Sequence, residues 1–446
     1  MAKNAIIWRL TSEGQYPAII KLQEKGLIKI NSWFGDPWRC PFCTHDNYQI
    51  FRGILPDQQF THYDTKIYNK VYSVLFKFID MYSTRRYMSY DRSLHEFVHA
   101  FNRYFNFFYQ LLMGKKTEVV LFEYIPHEGP DLILYEIAKC MDIKTIMFYQ
   151  TIFPDKFFYL SDLEDFGWFN KNAIALKPEQ LAIEEKFEKE IFYMKKKPLF
   201  RSLHKQDIER WKKSSRKIVQ RIDQVNISKT LVTFFSKLRY KYAYRRNMSK
   251  YVVRSVDLEK KFVYFPMHLQ PELTTHALGG IYVDQLLAVE RLRNLLPPDW
   301  SIYVKENPKQ TESMRPQTFF DRMRSIPNVE LVSEDYDTYA LLKNCIFLAT
   351  ITGTAGWEAI SGGKKVLVFG EAWYKSLPGV FTYHKDINLD EIINYHIDHK
   401  ELEKEFSLLM SKTAEGVVDP AYEVIVEKYD RDKNIEKLSR LLENII

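Results

Sequence analysis

Near the end of the chain an apolar run breaks at Thr352-Gly353-Thr354-Ala355-Gly356 and restarts as a helical pattern carrying Glu358. A turn set between a strand and a helix gathers two hydroxyls, free backbone N–H groups and the positive end of a helix dipole, which suits a phosphate. Gly353 lets the main chain come close to such a group. A capped helix behind a tight turn has the same appearance, and the spacing is neither GxGxxG nor a Walker loop, which points away from dinucleotide and P-loop chemistry. Two neighbouring segments add to the phosphate reading. His268, Gln270 and Glu272 follow the apolar "FVYFP", and Lys305, Glu306 and Asn307 follow "SIYV", with Pro308 stopping the strand. A single histidine after a strand is more often structural, but three strand ends that deliver polar side chains to one rim strengthen the phosphate reading.

A second chemistry sits in "LFEYIPHEGPD", where Glu123, His127, Glu128 and Asp131 fall within nine residues. Carboxylates and imidazoles at a strand end can serve as general acid or base. Asp131 can equally be a favourable charge at a helix N-terminus, and His127 a local cap. Cys40 and Cys43 in "RCPFCTHDN", with His45 nearby, have the spacing of half a tetrahedral zinc site. No second pair follows, and the alternative is a turn with two ordinary thiols. No metal and no cofactor are expected.

The elements that must position these residues alternate. "NAIIWRL", "TEVVLFEYI" and "IKTIMFYQ" read as strands, with helices "YPAIIKLQEKG" and "PDLILYEIAKCMD" between them, the latter entered through Pro130. Later, "KFVYFPMH", "SIYVKENP", "VELVS", "IFLATIT" and "KVLVFG" read as strands separated by helices. Alternation with short connections implies parallel sheets covered by helices, and open α/β sheets bind ligands beyond the carboxyl ends of their strands. With 446 residues, two domains of about 200 residues are expected. The boundaries are set at 1–180, 181–255 and 256–446.

The middle span is a basic segment. Lys195 to Arg254 holds nineteen Lys or Arg against three Asp or Glu, although the whole chain carries only +7. Ile208, Trp211, Ile218, Ile222 and Val225, then Leu231, Phe234, Phe235 and Leu238, recur among the bases at roughly helical spacing. Such a segment suits an anionic membrane surface, at about 1 kcal/mol per basic residue, or is a solvated helical linker. Nucleic acid is not expected as a partner, because no zinc finger, RNA-binding motif or helix-turn-helix accompanies the charge. No window reaches the ~18 apolar residues of a membrane span and the N-terminus lacks a signal peptide's apolar core, so a cytoplasmic location, peripheral at the inner face of the cell membrane, is expected.

"YFPMHLQPE", "YVKENP" and "TGTAGWEAISGGKKVLVFG" resemble the C-terminal half of the capsule polysaccharide biosynthesis proteins, glycosyltransferases that transfer Kdo and related ulosonic acids from CMP-activated donors. "IPHEGPDLILYEIAK" and "IKTIMFYQTIFPDKFFY" resemble members linked to pseudaminic acid. The likeness spans Glu118–Tyr159 and Lys261–Gly370. It implies a GT-B-like α/β fold, two Rossmann-like domains whose parallel sheets face a central cleft, with the nucleotide held mainly by the C-terminal one. The family's usual His-Pro after the second strand is Asn307-Pro308 here, and asparagine offers a neutral donor that cannot become cationic.

Carried over residue by residue, the resemblance places His268, Lys305 and Asn307 near the donor phosphate. Thr352, Gly353 and Thr354 fall beneath it and Glu358 near the ribose or cytosine, while Gln270, Glu272 and Glu306 either join the nucleotide site or orient their neighbours. Glu123, His127 and Asp131 are the catalytic candidates. The implied partners are a CMP-sugar donor, a glycan or lipid-linked glycan acceptor and the anionic membrane. A CMP donor has one phosphate and demands no divalent metal to bridge a diphosphate. The rival expectations are a UDP-sugar epimerase of the same fold and a non-catalytic capsule assembly protein.

Overall fold

The computed structural model describes residues 1–56, 60–83, 93–172, 179–183 and 227–446, with backbone alone over 227–237. Residues 184–226, which hold most of the basic segment including Ile208 to Val225, lie outside the described residues.

In the first sheet β1 (Lys3–Trp8), β2 (Ile28–Gly35), β3 (His45–Asp46), β4 (Val119–Phe122) and β5 (Lys144–Gln150) run parallel, while β6 (Lys156–Leu160) turns back antiparallel on β5. The second sheet contains β7 (Val252–Val253), β8 (Phe262–Pro266), β9 (Ser301–Lys305), β10 (Val329–Val332), β11 (Leu348–Thr350), β12 (Val366–Val368) and β13 (Val380–Thr382), all parallel. The last strand, β14 (Ala414–Glu415), joins the first sheet. The orders are β14-β6-β5-β4-β1-β2-β3 and β13-β12-β11-β8-β9-β10-β7. Central strands such as β4 and β9 are buried along their whole length, because helices cover both faces of a parallel sheet. The two α/β domains expected from the alternation are therefore the ones formed.

The structure departs from the expected bounds near residue 255 and at the C-terminal end. The helix Ile227–Tyr251 is not a free linker: Tyr244 and Tyr251 meet the Phe320 ring at 6.1 and 6.2 Å, Asn247 donates to Gln317 at 2.8 Å, and β7 follows directly to pair with β10. At the other end, the chain beyond Met410 leaves the second domain. β14 pairs with β6, and the helix Arg431–Ile445 packs on Tyr16–Glu24, with Ile435, Leu438 and Leu442 buried among Ala18, Ile19 and Leu22. Asn434 fastens this return, accepting from the Val417 N–H at 2.7 Å and donating to the Gly14 and Val417 carbonyls at 3.2 and 3.0 Å. The boundary at 446 fails because this amphipathic helix finds its apolar partner face 400 residues upstream.

Among the described residues, several contacts join the two domains. Phe153, in the β5–β6 turn, packs among Trp357, Trp373 and Phe406 at 6.0, 6.2 and 5.6 Å. On the other flank Lys77 donates to the Ala277 carbonyl at 3.0 Å, and Asp80 lies 3.2 Å from His276.

Candidate functional site

The turn after β11 is built around His268. The Thr352 N–H donates to His268 Nε2 at 3.1 Å, and the Thr352 hydroxyl lies 3.3 Å from the same atom. Accepting on Nε2 places the ring proton on Nδ1, a buried atom with no partner. Burial, with Arg315 adding to it, pushes the His268 pKa down to about 4, so near neutrality this group is an uncharged donor. A Cβ at position 353 would lie 2.9 Å from His268 Nε2 and 3.1 Å from Thr350 Oγ1, which is why glycine occupies the turn. The helix Thr354–Ser361 has Gly353 as N-cap and no side-chain cap, and the Gly353 carbonyl accepts from the Tyr374 hydroxyl. First-turn N–H groups left uncapped attract an anion. Glu358, half-buried two residues beyond Gly356, has its carboxyl pushed up to about 7 by burial.

The other rim residues divide between the site and its support. Arg315, which the sequence reading missed, is the hub. It donates to Glu306 at 2.6 and 3.2 Å, to Gln270 Oε1 at 2.9 Å and to the His268 carbonyl at 3.5 Å. Both members of the Arg315–Glu306 pair are buried, with side chains 1% exposed. Glu306 also accepts from the Asn307 N–H at 2.9 Å, and Gln270 Nε2 holds the Val283 carbonyl at 2.7 Å. Lys305 directs its ammonium to the Tyr336 carbonyl and Thr338 Oγ1 at 2.6 and 2.7 Å, tying β9 to the turn before Thr338–Asn344. Burial lowers its pKa against the pull of Asp337 and Asp335. Asn307 is half-buried and its Oδ1 accepts from the Lys309 N–H; Glu272 is exposed and accepts from Thr274. With His268 neutral, Arg315 paired and Lys305 engaged, the anion-attracting charge of this rim comes chiefly from the helix dipole and N–H groups.

In the first domain, Glu123 directly follows β4, and its N–H bonds the Trp8 carbonyl at 3.0 Å. The side chain is buried, and burial pushes its carboxyl up to about 7 against the opposing pull of Arg9. Arg9 closes β1 and, with Leu10, takes a left-handed backbone at φ 65° and 53°, a conformation unusual for such side chains and concentrated at functional sites. Its guanidinium donates to Glu128 at 2.5 Å. Burial works to lower the Arg9 pKa, and Glu128 with Glu123 outweigh it and raise it. Tyr124 donates to Asp419 at 3.3 Å, and Gln15 donates to the Val418 carbonyl at 2.5 Å, so the returning tail packs beside Glu123 and its neighbours.

Of the three catalytic candidates, Asp131 is occupied. Its carboxylate accepts from the N–H groups of His127, Glu128 and Leu132 at 2.8, 2.8 and 2.9 Å, locking the loop into the helix Pro130–Cys140. Burial nonetheless raises its pKa. His127 is half-buried, with Nδ1 2.7 Å from the Ile125 carbonyl. Glu123 is the buried carboxyl among them whose pKa is pushed up to about 7. Arg9 was detectable as a charge directly after a strand; Asp419, nearly 300 residues from Tyr124, left no local signal.

Cys40 and Cys43 are free thiols sharing a hydrogen bond, and His45 stacks on Phe34 at 4.4 Å. Among the described residues, no group of three His, Cys, Asp or Glu is placed to hold a metal ion, and no helix is long and apolar enough to cross a membrane. The Asp335-Tyr336-Asp337 sequence follows β10, but Asp337 caps the next helix through the Tyr339 N–H at 2.8 Å.

Residues 221–413 match the family model described as capsule polysaccharide biosynthesis protein. No curated protein sequence matches. Among solved structures, the chain is similar to the beta Kdo 2,7 transferase of Thermosulfurimonas dismutans KpsC at 11% identity, over 79% of this chain and 98% of that one, with a TM-score of 0.32. The beta Kdo 2,4 transferase of the same KpsC matches at 14% identity over 42% of this chain and 56% of that one, TM-score 0.24. The UDP-GlcNAc 2-epimerase of Methanocaldococcus jannaschii, solved with UDP-GlcNAc and UDP, matches at 12% identity over 99% of both chains, TM-score 0.26. The matched span, residues 221–413, holds the His268, Arg315 and Thr352 rim, and in that span the chain is similar to the capsule polysaccharide biosynthesis proteins.

Proposed function

We propose that the protein is a glycosyltransferase of capsule or other surface polysaccharide synthesis, transferring an ulosonic acid such as Kdo or pseudaminic acid from a CMP-linked donor to a glycan acceptor. The observation that carries this reading is the pairing of an uncapped helix N-terminus beside a neutral, buried His268 with a carboxyl of raised pKa, Glu123, on the other domain. The first side suits one phosphate held by N–H groups, and the second suits proton transfer near neutral pH. In the reaction the acceptor oxygen attacks the anomeric carbon and its proton passes to ionised Glu123. The bond from that carbon to the CMP oxygen breaks, and its electron pair leaves on the phosphate at Thr352–Thr354. Glu358 is assigned to the ribose or cytosine. Arg315 and Glu306 hold the rim in place. A cytoplasmic site at the inner membrane face fits this role, with the basic segment as one anchor.

Melting curves with CMP, UDP and GDP test the reading, since a ligand bound only by the native state raises stability. CMP is expected to stabilise the protein. Stabilisation by UDP alone would convert the reading to an epimerase, and none by any nucleotide to an assembly protein.

A further inference from the structure

A row of rings crosses an outer face of the N-terminal domain. Phe60 lies 6.0 Å from Tyr63, Tyr63 stacks on Tyr68 at 5.2 Å, and Tyr68 meets Tyr72 at 5.6 Å. The inner side of the row is seated firmly: Tyr63 and Tyr68 each meet Phe105 edge-on at 5.1 Å, and Tyr72 meets Phe101 at 5.8 Å. The outer side is open. Phe60 is 72% exposed, Tyr72 41%, and Phe76, on the next helix, 83%. Single exposed rings are ordinary, but a grouped run of exposed rings marks a contact surface.

The composition of the face selects its partner. Lys66 and Lys70 stand exposed one turn apart on the helix that ends at Tyr72. Lysines are depleted from the centres of protein interfaces, whereas aromatic rings flanked by long basic side chains suit a bilayer, with rings among the upper acyl chains and ammonium groups among anionic headgroups. The nearby Asp64 is committed to capping this helix through the Lys66 N–H at 2.7 Å. The face also borders the meeting of the domains: Lys77, next to Phe76, donates to the Ala277 carbonyl at 3.0 Å. Ile281, 66% exposed, follows the helix Leu273–Leu278 on the other side.

We propose that Phe60, Tyr72 and Phe76, flanked by Lys66 and Lys70, form a surface that rests on a lipid bilayer carrying anionic headgroups. This deepens the acceptor half of the proposed function and rests on it: a glycan carried on a lipid would be offered along the membrane plane to the edge of the interdomain cleft.

The test uses the full chain and co-sedimentation with vesicles of phosphatidylcholine, with and without phosphatidylglycerol, at low salt and at about 0.5 M salt, where surface charges are largely screened. The basic segment stays intact throughout, so differences report this face. Phe60→Ser with Phe76→Ser is expected to lower vesicle partitioning by about tenfold or more at both salts, the scale for losing two inserted rings. Lys66→Gln with Lys70→Gln is expected to lower it only for the anionic vesicles at low salt. Partitioning of the double serine variant equal to wild type overturns the proposal. So does loss of a wild-type dimer in ultracentrifugation with lipid binding unchanged, which would make the face a contact between copies. CMP melting shifts on the same samples keep the questions apart: failure of CMP to stabilise removes the donor reading and leaves the vesicle result standing.

Discussion

Replacing Glu123 with glutamine gives a stability change whose size follows from the burial of one carboxyl. The native pKa of Glu123 is about 7 against an ordinary 4.5, raised by burial despite Arg9. The native state therefore holds this proton more tightly than the unfolded chain does. The corresponding stability is fully present below about pH 4.5 and is lost as pH rises to about 7, amounting to about 3 kcal/mol at about 1.4 kcal/mol per pKa unit. Other groups titrate over the same window, Glu358 among them, so the informative quantity is the difference between two proteins. Wild type and Glu123→Gln are melted at about pH 5 and about pH 8.5. Wild type is expected to lose about 3 kcal/mol more than the variant over that interval, because glutamine keeps the shape and never ionises. Turnover of Glu123→Gln is expected to fall by about a hundredfold or more, and the wild-type rate to rise with pH through about 7 as the carboxylate forms. Equal pH slopes of stability in the two proteins would refute the burial argument, and a wild-type rate for the variant would refute its role as base.

Asp131→Asn is expected to act on folding rather than on nucleotide binding. An amide cannot accept all three N–H groups now on the carboxylate, so melting should drop by about 1–3 kcal/mol with the CMP shift retained. Arg315→Met leaves Glu306 buried without its partner and should cost about 3–5 kcal/mol, with the CMP-induced shift abolished; a retained shift would show that the rim does not depend on this hub. Thr352→Val with Thr354→Val is expected to weaken CMP binding by about 1–3 kcal/mol in calorimetry, and unchanged affinity would remove the turn from the site.

The alternation of strands and helices was legible because each parallel strand is a short apolar run closed by Gly, Pro or a polar rim, as in β8 and β9. The rim residues were legible for the same reason: a polar side chain directly after such a run has only the sheet edge to occupy. Their division of labour was not. Asp131 and Lys305 carry the charges a site would use, yet the bonds that engage them come from backbone groups whose positions depend on the folded turns. The hub Arg315 lies in "ESMRPQ", where no periodicity marks burial, and its partners are 9 and 45 residues away. β14 and the closing helix were misplaced because an amphipathic helix announces its apolar face but not the surface that will cover it.

That closing helix sets an order of events during synthesis. Residues 3–160 leave the ribosome first, but the sheet they form receives its edge strand, and the helix Tyr16–Glu24 its cover, only when residues 414–445 appear. Glu123 and Tyr124 then gain Asp419 as a neighbour. The half assigned to chemistry is therefore finished after the half assigned to the donor has been made, and a nascent chain stalled before Ala414 carries the whole His268–Thr352 rim while the surroundings of Glu123 are still unfinished.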